Sequence, residues 1–145
     1  VVVGRGCLGR PWLFGELCAV LEGREPPPPP DLGQVVDTLR EHARLLVGFF
    51  GEKHGMAQIR KFTGWYLKGF PGTKKSLPAL HLVRTLTELD ELLAPLPRAV
   101  PYPLVALRAR RCKDGKVQQV SLPQGWLDCR EADIEVEDPA EMDGG

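Results

Sequence analysis

The sequence has no C-x-x-C pair and no histidine placed at metal-ligand spacing from a cysteine, so Cys7, Cys18, Cys112 and Cys129 offer neither a zinc framework nor a redox dithiol. No metal is expected, and the four read most simply as reduced thiols of a cytoplasmic protein. Nor is any apolar run close to the ~20 residues needed to cross a bilayer, so no membrane partner is expected. An initiating Met, a basic leader and a signal-like segment are also missing, and the expectation is a fragment of a longer protein. What remains, 145 residues with 43% hydrophobic and 26% charged, is the composition of a globular chain with one modest core.

The formal charge is zero, yet it is unevenly placed. Between Asp37 and Arg84, nine basic residues stand against three acidic ones, a net +6. From Val117 onward one basic residue stands against eight acidic ones, a net −7. The middle calls for a polyanionic partner and the end for a solvated tail.

The first twelve residues change character twice. Val1, Val2 and Val3 read as the end of a buried strand, Gly4-Arg5-Gly6 and Gly9 as a loop that frees backbone amides, and Pro11 as the first position of a helix. Strand, glycine loop and helix start form a candidate anion cradle on the amides of Gly4, Arg5 and Gly6, with an ordinary tight connection as the alternative. The helix is expected from Pro11 to about Leu21, ended by Gly23, with Trp12 and Phe14 as packing residues. Pro26 to Pro30 is an extended linker. Asp31 caps a helix from Leu32 to Phe50, whose stripe is Val35, Val36, Leu39, Ala43, Leu46, Val47 and Phe50 and whose other face carries Arg40 and Arg44. Gly51 and Gly55 bracket a break. A further helix from about Met56 to Gly69 buries Ile59, Phe62 and Tyr66 and places Arg60, Gly64 and Lys68 in one row, beside Lys61, where a sugar-phosphate backbone can approach. The alternative is a solvated helical face.

Phe70-Pro71-Gly72 ends that helix, Pro78 interrupts a short segment opened by Lys74 and Lys75, and a last helix starts at Thr85 or Thr87, the latter in a loose capping pattern with Asp90. Beyond residue 97, Asp114-Gly115 marks a possible hairpin over 104–122, and the acidic end is expected to be disordered. The divisions are 1–25, a linker at 26–31, a helical domain at 32–96 and a tail at 97–145.

Two segments carry a resemblance. Gly4-Arg5-Gly6-Cys7-Leu8-Gly9-Arg10-Pro11-Trp12-Leu13-Phe14 resembles the G-R-G-x-x-G-R-P-W motif at the last barrel strand of bacterial tRNA-dihydrouridine synthases. Arg60-Lys61-Phe62-Thr63-Gly64-Trp65-Tyr66 resembles the R-K-H-x-x-W-Y helix of the tRNA-binding domain of the same family, with Phe62 where His is usual. The resemblance covers about residues 1 to 96. It implies a mostly α chain: the last strand and phosphate loop of a truncated (β/α)8 TIM barrel, which when complete takes about 250 residues, followed by a small helical bundle.

It further implies an oxidoreductase of tRNA processing that reduces uridine to dihydrouridine with FMN and NADPH. Gly4, Arg5 and Gly6 would then contribute to the FMN phosphate site, and Arg60, Lys61, Lys68, Arg40 and Arg44 to tRNA binding. The family's proton-donating cysteine lies upstream of this segment, so no catalytic residue is assigned here and Cys7 falls at a variable position. A monomer is expected, and this segment without the rest of the enzyme is expected to be inactive. Two other classes stay open: another FMN-dependent TIM-barrel oxidoreductase, and a stand-alone helical RNA-binding or interaction module.

Overall fold

A computed structural model describes residues 2–107. Among them there are six α-helices and no strand. Val2 and Val3 are not in a strand, because no second strand is present among the described residues to pair with them. Arg5–Cys7 forms a 3-10 turn instead. The hairpin expected over 104–122 begins differently, with Leu104–Leu107 in a helical turn, and the rest of it lies outside the described residues, as does the acidic end.

Helix α1 spans Leu13–Leu21, two residues later than Pro11 suggests, since Leu13 N and Phe14 N first close turns onto Arg10 O and Pro11 O. It ends in a Schellman motif: Gly23, at φ 69°, donates to Val20 O, and Arg24 N donates to Ala19 O. Trp12 packs as expected, its ring 5.7 Å from Tyr102 in an edge-on arrangement, whereas Phe14 is half exposed.

Helix α2, Leu32–Phe50, starts and stops where the sequence places it. Asp31 Oδ1 accepts from Gln34 N at 2.8 Å while Gln34 Oε1 accepts from Asp31 N at 2.9 Å, a reciprocal capping box. The next two amides are not left to water: Leu32 N donates to Val100 O and Gly33 N to Arg98 O, both at 2.8 Å. Arg98 closes this strap with its guanidinium on Asp37, whose carboxyl that contact holds below the usual carboxylate range. Leu32, Val35, Val36, Leu39 and Ala43 are buried. Phe50 is not, because the hairpin tip projects beyond the core together with Phe49.

Helix α3, Glu52–Tyr66, begins four residues earlier than expected. Gly51 alone, at φ 76°, makes the reversal, and Gly55 lies inside the helix, fully covered. A Cβ at Gly55 would stand 2.7 Å from Leu46 C and the Val47 backbone, so the missing side chain is what lets α2 and α3 cross this closely. Met56, Ile59, Thr63 and Tyr66 then complete the face opposed to α2.

Helix α4, Leu77–Leu80, carries Pro78 in its first turn, where proline is tolerated, so it does not interrupt the segment. Helix α5, Leu86–Leu93, is capped by Thr85, whose Oγ1 accepts from Glu88 N, rather than by Thr87 with Asp90. Glu88 Oε2 accepts in return from Arg84 N, and Glu52 Oε1 accepts from Leu86 N, tying the start of α5 to the start of α3. Helix α6, Leu104–Leu107, sets Ala106 and the preceding Tyr102 into the same core as α2 and α3. Each fully buried Leu or Ile of that core, such as Leu39, Ile59 or Leu89, contributes about 2 kcal/mol.

Candidate nucleic-acid interface

The C-terminal end of α3 faces a chain reversal built on two glycines, Gly69 at φ 86° and Gly72 at φ 80°. Between them Phe70 is buried, its ring 5.5 Å from Tyr102. The buried Thr73 then ties the returning chain to the helix end: its Oγ1 donates towards Leu67 O at 3.2 Å and Phe70 O at 2.9 Å. A 3-10 turn, Thr73–Lys75, follows. The reversal leaves a groove of about 1010 Å³ between α3 and this turn.

Four lysines line it. Lys61 and Lys68 come from α3 and its exit, Lys74 and Lys75 from the returning turn, and His81 follows α4. No carboxylate is in the lining. The apolar side chains of Trp65, Pro71 and Leu77 share the lining. Lys61 donates to Gln58 Oε1 at 2.8 Å, a neutral partner that leaves its charge uncompensated.

The sequence-derived basic residues therefore divide. Lys61 and Lys68 share the groove; Arg60 does not line it, being half-buried with Nε donating to Met56 O at 3.3 Å. Gly64 is not a bare gap in the row, since a Cβ there would stand 3.6 Å from His81 Nε2. Arg40 points elsewhere: Nε donates to Asp90 Oδ1 at 2.7 Å and Nη1 lies 3.6 Å from Asp37. Arg44 is exposed, paired at 3.6 Å with Glu41. The hollow containing Arg40 and Arg44 also holds Asp37 and Asp90, so its charge is mixed. Lys74, Lys75 and His81 were not among the sequence-derived candidates. The Lys-Lys pair after Pro-Gly was the available signal, but only the fold-back onto α3 brings it to Lys61 and Lys68.

Phe62 lies behind the groove, its ring 5.0 Å from His42 of α2 and 5.5 Å from Trp65. His42 Nδ1 is 3.1 Å from the Tyr66 hydroxyl. Burial lowers the His42 pKa and pushes Tyr66 up to about 12, so both are neutral at pH 7 and serve packing rather than anion binding.

The glycine loop docks onto the same helix. Gly9, at φ 65°, is buried so closely that a Cβ would lie 2.5 Å from Trp65 C and 2.6 Å from Tyr66 N. The residues ahead of it are open: Gly4, Arg5 and Gly6 are exposed, and a Cβ at Gly4 would meet nothing within 4 Å. As the first residues of a 3-10 turn, their amides have no acceptor inside it. Such a set of amides fits an anion, and the fold itself gives no steric reason for glycine at position 4. Among the described residues no group of three His, Cys, Asp or Glu side chains is placed to hold a metal ion, and no helix is long and apolar enough to cross a membrane.

Comparison with known proteins gives this geometry a context. Residues 1–100 match the family model described as Dihydrouridine synthase (Dus). A probable tRNA-dihydrouridine synthase of Mycobacterium leprae is 53% identical over 127 residues, covering 88% of this chain and 33% of the relative. One from Mycobacterium tuberculosis strain H37Rv is 51% identical over 134 residues, covering 90% and 34%. The tRNA-dihydrouridine synthase B of Xanthomonas axonopodis pv. citri is 37% identical over 108 residues, covering 69% and 32%. The chain thus spans about a third of the length of these curated relatives. No solved structure matches it.

Proposed function

Because the chain belongs to the dihydrouridine synthase family, we propose that it is the C-terminal portion of an enzyme that reduces uridine to dihydrouridine in tRNA, and that its own task is to dock the tRNA. The observation that carries this reading is the lysine groove: Lys61, Lys68, Lys74 and Lys75 around one concavity with no carboxylate among them. A uracil held inside a folded tRNA has to be drawn out of its stack before its ring can be reduced. That requires the rest of the tRNA to be gripped beside the reaction pocket, and phosphates are gripped by cations. In this reading residues 1–25 belong to the barrel, 26–31 link it to the helical domain at 32–96, and 97–145 form a tail. Phe14 and Leu21, half to mostly exposed and seven residues apart on one face of α1, would pack against the remainder of the barrel.

The same reading assigns Gly4, Arg5 and Gly6 to the phosphate of FMN, through the open amides at the start of their 3-10 turn. The chemistry supplied by bound FMN, with NADPH as reductant, is hydride delivery to the uracil ring. In this reading Gly4, Arg5 and Gly6 would hold the phosphate end, and no proton donor is assigned to this chain. The close approach of Gly9 to Trp65 and Tyr66 supports a phosphate site carried beside the helix that lines the groove. The reaction would take place in the cytoplasm, with a monomeric enzyme.

Binding of unmodified tRNA across a salt series tests the docking role. Lys61→Ala/Lys68→Ala is expected to weaken binding by about tenfold and to flatten the slope of log K against log salt by about two, one per lost phosphate contact. Binding by the double variant equal to that of the unaltered chain at every salt concentration would sink the reading.

A further inference from the structure

The groove is more particular than a basic face needs to be. Its cations come from two separate elements, Lys61 and Lys68 from α3 and its exit and Lys74 and Lys75 from the returning turn, and its lining also includes the apolar side chains of Trp65, Pro71 and Leu77. A phosphate gains nothing from such side chains, but a ribose or a nucleobase does. A paired RNA stem offers the reverse: two backbones on a convex surface, with its bases stacked inside and inaccessible to Trp65. Neither Lys61, Lys74 nor Lys75 is ion-paired among the described residues, so each charge is available to a strand lying in the groove.

Resting on the reading that this face docks tRNA, we propose that the groove takes a single unpaired segment of the RNA, with its backbone held between the two pairs of lysines and a nucleotide laid on Trp65. Lys74 and Lys75 are then RNA-binding residues, and the docking domain reads a loop or junction of the tRNA rather than a stem. The buried Thr73 keeps the second lysine pair in place through its single hydroxyl proton, shared between Phe70 O and Leu67 O. His81, in the same lining and beside Gly64, adds a polar edge for a base or ribose hydroxyl.

The test is competition against labelled tRNA on the 145-residue chain, using an unpaired oligouridylate and a blunt RNA duplex of equal phosphate number. The oligouridylate is expected to compete about tenfold better than the duplex. Lys74→Ala/Lys75→Ala is expected to weaken oligouridylate binding by about tenfold and to flatten its salt slope by nearly two, with an unchanged circular dichroism spectrum. A duplex that competes as well as the single strand, or a variant that binds the single strand like the unaltered chain, overturns the proposal. Lys61→Ala/Lys68→Ala in the same assay separates the two levels. Loss of tRNA binding there, with none in Lys74→Ala/Lys75→Ala, removes the two-sided groove and leaves tRNA docking standing, whereas no loss in either removes both.

Discussion

Gly55→Ala is expected to destabilise the chain by about 3 kcal/mol, although alanine is the better helix former by about 1 kcal/mol. Gly55 lies in the second turn of α3, and the space where a Cβ would go is occupied by backbone, Leu46 C and Val47 Cα and N each at 2.7 Å. Backbone cannot rotate aside as a side chain can. The crossing of α2 and α3 must open, and the contacts of Ala43, Met56 and Ile59 open with it. Thermal or urea unfolding of the variant measures this directly. A second variant, Gly48→Ala, serves as reference: its Cβ meets nothing within 4 Å, so alanine there is expected to stabilise by up to about 1 kcal/mol. Equal effects of the two substitutions would mean that α2 and α3 do not cross as described.

Gly9→Ala carries the second large effect, and it falls on function as well as stability. Two costs coincide at this position. A left-handed backbone costs a residue with a Cβ about 1 to 2 kcal/mol. The Cβ would also stand 2.5 Å from Trp65 C, far inside contact distance. The less costly response is for the loop to lift off α3, which exposes Trp12 and Trp65 together and uncouples the Gly4–Gly6 amides from the groove. The expected result is a loss of about 3 kcal/mol and a red-shifted tryptophan emission. Restored packing at low temperature, or emission identical to that of the unaltered chain, would show that the loop does not depend on this contact.

Local signals in the sequence carry over into the fold. The Asp31 cap, the stripe on α2 and the Gly23 stop all act within one or two turns of helix, and each is legible because it depends on near neighbours. Long-range geometry is not. Gly55 reads as a breaker, since nothing in the sequence says that another helix fills the space beside it. Phe50 fits the α2 stripe by period, yet it emerges at the hairpin tip, and Leu104–Leu107 forms a helical turn where a strand was expected to begin.

The candidate site divides in the same way. Lys61 and Lys68 were found on one helical surface by spacing. Arg40, read with Arg44 on the other face of α2 as a tRNA contact, instead commits its guanidinium to Asp90, fifty residues away in the chain. Lys74 and Lys75 reach the groove only through the reversal at Gly69 and Gly72 and the Thr73 tie. The resemblance in the R-K-x-x-x-W-Y segment points to the helix that lines the groove. It could not supply the second wall.

The most direct measurement of the central claim is a lysine-acylation footprint of the chain with and without tRNA, read residue by residue by mass spectrometry. Lys61, Lys68, Lys74 and Lys75 are expected to lose most of their reactivity when tRNA is bound, while Lys53, exposed at the start of α3 and outside the groove, keeps its own. Protection of Lys53 to the same degree as the four groove lysines, or no protection of those four under conditions where tRNA is bound, would contradict the account.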